Sequence, residues 1–162
     1  HNDIIKGIDV QGKDGSKTVD GRDAFRTFRS RLKTVWGSNK ASAINTEHDR
    51  IMYSYEDVFK SWEADLSHYF RFVYNILQYI HREKQQNPTI DYLPYVKFLR
   101  AQLSADELVL LFYNGISEYG RDKFKPLAEE YALFKNLNHS RLLAEKHISY
   151  YHHKAFGIAK ID

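Results

Sequence analysis

Leu66-Ser-His-Tyr-Phe-Arg-Phe-Val-Tyr-Asn-Ile-Leu-Gln-Tyr-Ile-His-Arg82 decides the fold class. Leu66, Tyr69, Phe70, Val73, Leu77 and Ile80 recur at three- and four-residue steps, the spacing that stacks side chains on one face of a helix. Phe72, Ile76 and Tyr79 widen the apolar arc, so this segment is expected to be a central helix. Asn87-Pro88 ends it, because proline disfavours the helical region for the residue before it.

The same period extends on both sides. Phe25, Phe28, Leu32, Val35 and Trp36 predict a helix after Gly21 that stops at Gly37. Residues 38–50 are polar and read as a loop or short helix, and a helix is expected from about Tyr53 through Trp62. Another runs through Tyr92, Tyr95, Val96 and Leu99. Ser104-Ala-Asp-Glu107 is a capping-box pattern that starts a helix toward Asn114. Pro126 suits a first helical turn before Leu127, Tyr131, Phe134 and Leu137. The tail from Ser140 reads as one more helix ending near Gly157. With no sustained apolar/polar alternation, the expectation is an all-α bundle of about six helices. It forms a single domain over residues 1–162 whose glycine-rich leading stretch, 1–21, is partly flexible.

Composition narrows the function classes. A chain of 162 residues with 43% hydrophobic and 15% aromatic residues can bury its own core. Zero cysteines remove disulfides, thiolate metal sites and cysteine nucleophiles, as a reducing cytoplasm permits. A net charge of +3 from 24 basic and 21 acidic residues does not by itself imply nucleic-acid binding. Charge is concentrated once, where Arg22, Arg26, Arg29, Arg31 and Lys33 face only Asp23, a surface that can meet RNA or an anionic membrane. Arg26 and Arg29 are its candidate contacts. No run reaches the roughly 18 apolar residues of a membrane span, and the opening His1-Asn2-Asp3 reads as the start of a piece of a longer protein.

Tyr69-Phe-Arg71 and Arg100-Ala-Gln-Leu-Ser104, within Tyr69 to Ile80 and Leu99 to Asn114, resemble the AbiC-like phage abortive infection family. The likeness extends to His1-Asn2-Asp3-Ile4-Ile5, Gly21-Arg22-Asp23-Ala24-Phe25 and Tyr150-Tyr151. It implies bacterial antiphage defence by a membrane-anchored protein, this part standing soluble at the cytoplasmic face. It also implies a sensor or interaction domain that binds a phage or host component, with no recognisable catalytic site and no cofactor. Tyr69, Arg71, Arg100, Gln102 and Asn114 are the candidate binding residues. Ser104 is explained as a helix cap.

Arg141-Leu-Leu-Ala-Glu-Lys-His147 resembles, in this motif alone, the Arg and His spacing of HEPN ribonucleases. Arg141 would hold a phosphate and His147 would move a proton near neutral pH in metal-independent RNA cleavage. On one helix a six-residue step leaves the two side chains about 120° apart, so they converge only by reaching round or across a dimer. The remaining histidines show no metal-ligand spacing with acids, and no metal site is expected. A third reading is a scaffold whose helices mediate homo-oligomerisation.

Overall fold

The computed structural model describes residues 9–10 and 19–157. The Ile4 to Ile8 segment, most of the glycine-rich stretch read as flexible, and the Arg22 side chain lie outside the described residues. Two short strands, β1 (Asp9–Val10) and β2 (Val19–Asp20), pair antiparallel with Asp9 opposite Asp20. The helices are α1 (Arg22–Trp36), α2 (Asn39–Ser42), α3 (Glu47–Ser61), α4 (Glu63–Gln86), α5 (Leu93–Gln102), α6 (Ala105–Ile116) and α7 (Phe124–Glu130). Six of them have seven or more residues, so the described residues form an all-α structure with the number of main helices the sequence predicts. The chain divides into two compact units, and the division falls inside α4 between Phe70 and Arg71.

In the first unit α1 packs on α3. Phe25, Phe28 and Leu32 are buried on one helix and Ile51, Tyr55 and Val58 on the other, as their helical spacing requires. The Phe25 ring lies 4.6 Å from Tyr69, and Phe28 lies 4.9 Å from Trp62. Two polar contacts fix the register of the helix pair. Arg31 donates to both Asp57 oxygens at 2.7 and 3.0 Å. Arg50 places its guanidinium 3.8 Å from the Trp36 ring centroid and donates to the Trp36 carbonyl at 2.8 Å, satisfying an acceptor that the end of α1 leaves open.

Helix α3 begins six residues ahead of the expected Tyr53. Thr46 caps it, its hydroxyl accepting the Asp49 N–H at 3.1 Å. The first turn, Glu47-His-Asp-Arg50, is polar and carries no apolar period, so hydrophobic spacing cannot reveal it. In α4 the expected stripe is buried, but Phe72 and Ile76 are only half-buried and Tyr79 is 66% exposed.

The helix buried on every side is α6 of the second unit, where each residue from Glu107 to Ile116 is buried. It starts at the predicted capping box, with Ser104 Oγ accepting the Glu107 N–H at 3.3 Å and Glu107 Oε2 accepting the Ser104 N–H at 2.8 Å.

The tail is not a helix. Residues His139–Arg141, Glu145–Tyr150 and His153–Phe156 form three 3-10 turns separated by extended residues such as Leu142, Ala144, Tyr151 and His152. Its apolar residues enter the core from separate turns, and this spacing imitated a helical stripe. Gly157 does end the last turn, in the left-handed region at φ 69°.

The tail is bonded to the buried helix instead. Tyr151 donates its hydroxyl proton to the Phe112 carbonyl at 2.7 Å, and its ring lies 4.8 Å from Phe112 and 5.0 Å from Phe134. A Cβ at Gly115 would collide with the Tyr151 hydroxyl and meet Phe124 at 3.3 Å, so glycine is required there for close approach. Burial pushes the Tyr151 hydroxyl well above the ordinary tyrosine range, so it stays protonated in the fold.

Gly115→Ala is expected to destabilise the chain by about 1–3 kcal/mol through overpacking. Adding Tyr151→Phe should recover part of that loss by removing the obstructing oxygen, a coupling that denaturant melts of the four variants will measure. Because the folded-state pKa of Tyr151 is raised, its contribution is whole below about pH 10 and declines above it. In alkaline melts the wild type should lose about 1.4 kcal/mol per pH unit more than Tyr151→Phe.

Candidate functional site

Helix α5 carries Leu93, Val96 and Arg100 at three- and four-residue steps on one face. Pro94 occupies its first turn and Asp91 Oδ1 accepts the Leu93 N–H at 2.9 Å, so the chain entering the helix is fixed locally. That face forms one wall of a cleft of about 290 Å3. Ile90, Asp91 and Tyr92 line it from the segment before α5, Lys84 from α4, and Glu130, Tyr131 and Ala132 from the end of α7.

Arg100 is the unusual group. Its side chain belongs to a residue only 7% exposed, and its Nη1 donates to the Ala132 carbonyl at 3.0 Å. Among the described residues no carboxylate pairs with it, and burial alone lowers its pKa from the ordinary arginine value. Ala132 adopts φ 48° in the turn that follows α7, a left-handed conformation uncommon for alanine, and so turns its carbonyl toward the guanidinium.

The other charges of the cleft are partnered. Lys84 meets Glu130 at 3.0 Å, a hydrogen bond that raises the lysine pKa. Burial pushes the Tyr131 hydroxyl up, and that hydroxyl lies 3.0 Å from His81 Nδ1.

The remaining candidate residues lie elsewhere. Tyr69 is wholly buried against Phe25 and serves the first core. Arg71 is exposed, with no ion pair or hydrogen bond among the described residues. Gln102 is half-buried, and Asn114 is buried with its carbonyl accepting the Ser117 hydroxyl at 2.7 Å. Gly120 is pressed against Asn114, where an added Cβ would lie 2.5 Å from its carbonyl oxygen. Arg100 is hydrogen-bonded to none of these.

The basic face of α1 is also smaller than its sequence suggests. Arg31 is committed to Asp57, Arg29 is half-buried, and exposed Arg26 stands 3.8 Å from exposed Asp23.

Arg141 and His147 share no helix. Arg141 Nη2 pairs with Asp106 Oδ1 at 2.8 Å in the first turn of α6. His147 is 0% exposed, and its Nδ1 lies 2.8 Å from the Tyr113 hydroxyl, which also accepts the Leu143 N–H at 2.8 Å. Seven residues of helix separate Asp106 from Tyr113, so the two anchor points stand about 10 Å apart. The arrangement buries His147 where the tail packs on α6. Among the described residues no three histidine, aspartate or glutamate side chains gather as a metal would require.

Residues 61–142, half of the chain, match the family described as "Putative phage abortive infection protein". The chain belongs to this family. The matched segment contains every residue that lines the Arg100 cleft, together with Tyr69-Phe-Arg71 and Arg100 to Ser104. His147 and the basic face of α1 lie outside it. No curated protein and no solved structure matches the chain. The stretch Arg100 to Ser104, inside the matched segment, thus supplies both the buried cation of the cleft and the cap of α6.

His147→Ala is expected to lower stability by about 2–4 kcal/mol, because it empties a buried site and leaves the Tyr113 hydroxyl short of a partner. Tyr113→Phe should cost about 1–3 kcal/mol by stranding the Leu143 N–H. Thermal melts of both variants check this, and a His147→Ala melt superimposable on wild type would contradict the structural assignment.

Proposed function

We propose that the chain is the recognition part of a phage abortive infection protein, which binds a phage or host component through the Arg100 cleft and has no catalytic centre of its own. One observation carries the reading. A buried guanidinium with no carboxylate partner among the described residues opens on a cleft formed wholly within the segment that matches the family. A cation removed from water and left uncompensated costs stability, so its retention favours a role in binding.

Membrane anchoring of the whole protein, which the family resemblance implies, belongs to the proposal as well; none of the described helices is long and apolar enough to cross a bilayer. Any anchor would be supplied by a longer protein, with this part at the cytoplasmic face. Ribonuclease activity through Arg141 and His147 is the competing reading, and the burial of His147 speaks for recognition over it.

Two assays separate them. Arg100→Gln in the full-length protein should abolish plaque reduction in phage-challenged cells while the protein still accumulates. The purified chain, incubated with total RNA and tRNA in EDTA, should leave both intact. Metal-independent RNA cleavage lost in a folded Arg141→Gln variant would replace recognition with catalysis.

A further inference from the structure

We infer that the Arg100 cleft binds a small carboxylate: one carboxylate group carried on an apolar body of about the size of a single aromatic ring. The inference rests on the recognition reading above and names the chemistry recognised. Three features of the cleft converge on it.

The first is the guanidinium. Its planar fork carries five N–H donors, and the structure gives one of them, on Nη1, to the Ala132 carbonyl. A carboxylate meets such a fork with two parallel bonds and also supplies the missing counter-charge.

The second is the charge balance. Lys84 and Arg100 are offset in number by Asp91 and Glu130 around the cleft. Glu130 is taken by Lys84 at 3.0 Å, and Asp91 receives the Leu93 N–H at 2.9 Å. The hydroxyls present are those of Tyr92 and Tyr131. The lining is therefore neutral in sum, and among the described residues Arg100 is its one cation with no carboxylate partner. That suits a single negative charge placed at the guanidinium and penalises a polyphosphate beside two fixed carboxylates.

The third is size and polarity. The cleft measures about 290 Å3, at the small end of ligand sites, and Ile90, Leu93, Val96 and Ala132 give it apolar walls. Ile90 and Leu93 are each about half exposed, so an apolar body laid on them gains by leaving water.

Arg100 also holds the Ala132 turn, and that bond alone needs only one neutral donor. A carboxylate explains why a charged fork is kept at this depth.

The test is a titration of the whole chain with 3-phenylpropionate, followed by amide NMR shifts. Controls are 3-phenylpropionamide, inorganic phosphate and N-acetylphenylalanine, the last presenting a carboxylate as a peptide chain end does. The acid should bind at least about tenfold more tightly than the amide, with shifts at residues 84, 90–100 and 130–132, and phosphate should bind more weakly than the acid. Arg100→Gln should erase the difference between acid and amide. Should that variant unfold, Ile90→Glu adds a negative charge at a half-exposed position and should weaken the acid alone by about tenfold with an unchanged melting temperature.

N-acetylphenylalanine binding well above 3-phenylpropionate would assign the carboxylate to a protein terminus, and the reverse order to a free small acid. Equal binding of acid and amide, tighter binding of phosphate, or no acid binding at about 10 mM would overturn the inference. Loss of plaque reduction in Arg100→Gln, together with any of those results, would reject the carboxylate and keep the recognition reading. Full plaque reduction in both Arg100→Gln and Ile90→Glu would reject the recognition reading itself.

Discussion

The contact between Gly115 and Tyr151 is the constraint on which the second unit depends. From Tyr131 to Gly157 it contains no α-helix, and the backbone groups of that stretch cannot satisfy one another as a helix would. They borrow partners from α6. Tyr151 reaches the Phe112 carbonyl at 2.7 Å only because position 115 carries no side chain. The hydroxyl of Tyr113, the residue after Phe112, takes the Leu143 N–H at 2.8 Å. The helix is buried from Glu107 to Ile116, and most of those side chains are apolar. Two tyrosine hydroxyls in contact with it turn a greasy rod into a fixed support for an irregular chain, at positions where misplacement leaves a buried polar group unpaired.

This support extends to the cleft. The Phe134 N–H bonds to the Ala155 carbonyl at 2.9 Å, joining the turn after α7 to the same tail that Tyr151 anchors. Ala132 lies two residues before Phe134, and its carbonyl is the acceptor that fixes Arg100. A chain of contacts thus leads from the glycine on α6 through Tyr151, Ala155 and Phe134 to the guanidinium. Each link is short and buried or half-buried, so the geometry of the cation is set by packing far from it and not by local flexibility.

Much of this architecture was legible in the sequence because it depends on local rules. The 3.6-residue period located α1, α4 and the apolar part of α3, and the Ser104 to Glu107 capping box located the start of α6 to the residue. Two features were not legible. The first turn of α3 is polar, so only Thr46 marked it. The tail mimicked helical spacing because Tyr151 is placed by contact with α6 and the turn holding Phe156 by contact with α7, which a one-dimensional period cannot encode. The candidate site divides along the same line. Arg100 stood out as a polar residue within a distinctive string. Lys84 and Glu130 are 46 positions apart, and nothing in the sequence announces that they meet. Arg141 and His147 were joined only by their spacing, and that spacing has meaning on a helix the chain does not form.

The two prominent arginine sets also show how structure reassigns charge. By sequence, α1 concentrates positive charge and Arg100 is one cation among many. In the fold, Arg31 donates from Nε and Nη2 to the two Asp57 oxygens, and Arg50 of α3 donates to the Trp36 carbonyl and lies over its ring. An exposed arginine such as Arg26 beside Asp23 is well solvated, and its attraction for an anion is screened by salt. Arg100 is only 7% exposed, and among the described residues no carboxylate offsets its charge. Electrostatic attraction at that depth is several times stronger per contact than at the surface. A single buried cation can therefore select an anion more effectively than the larger basic face, and selectivity is what a recognition domain requires.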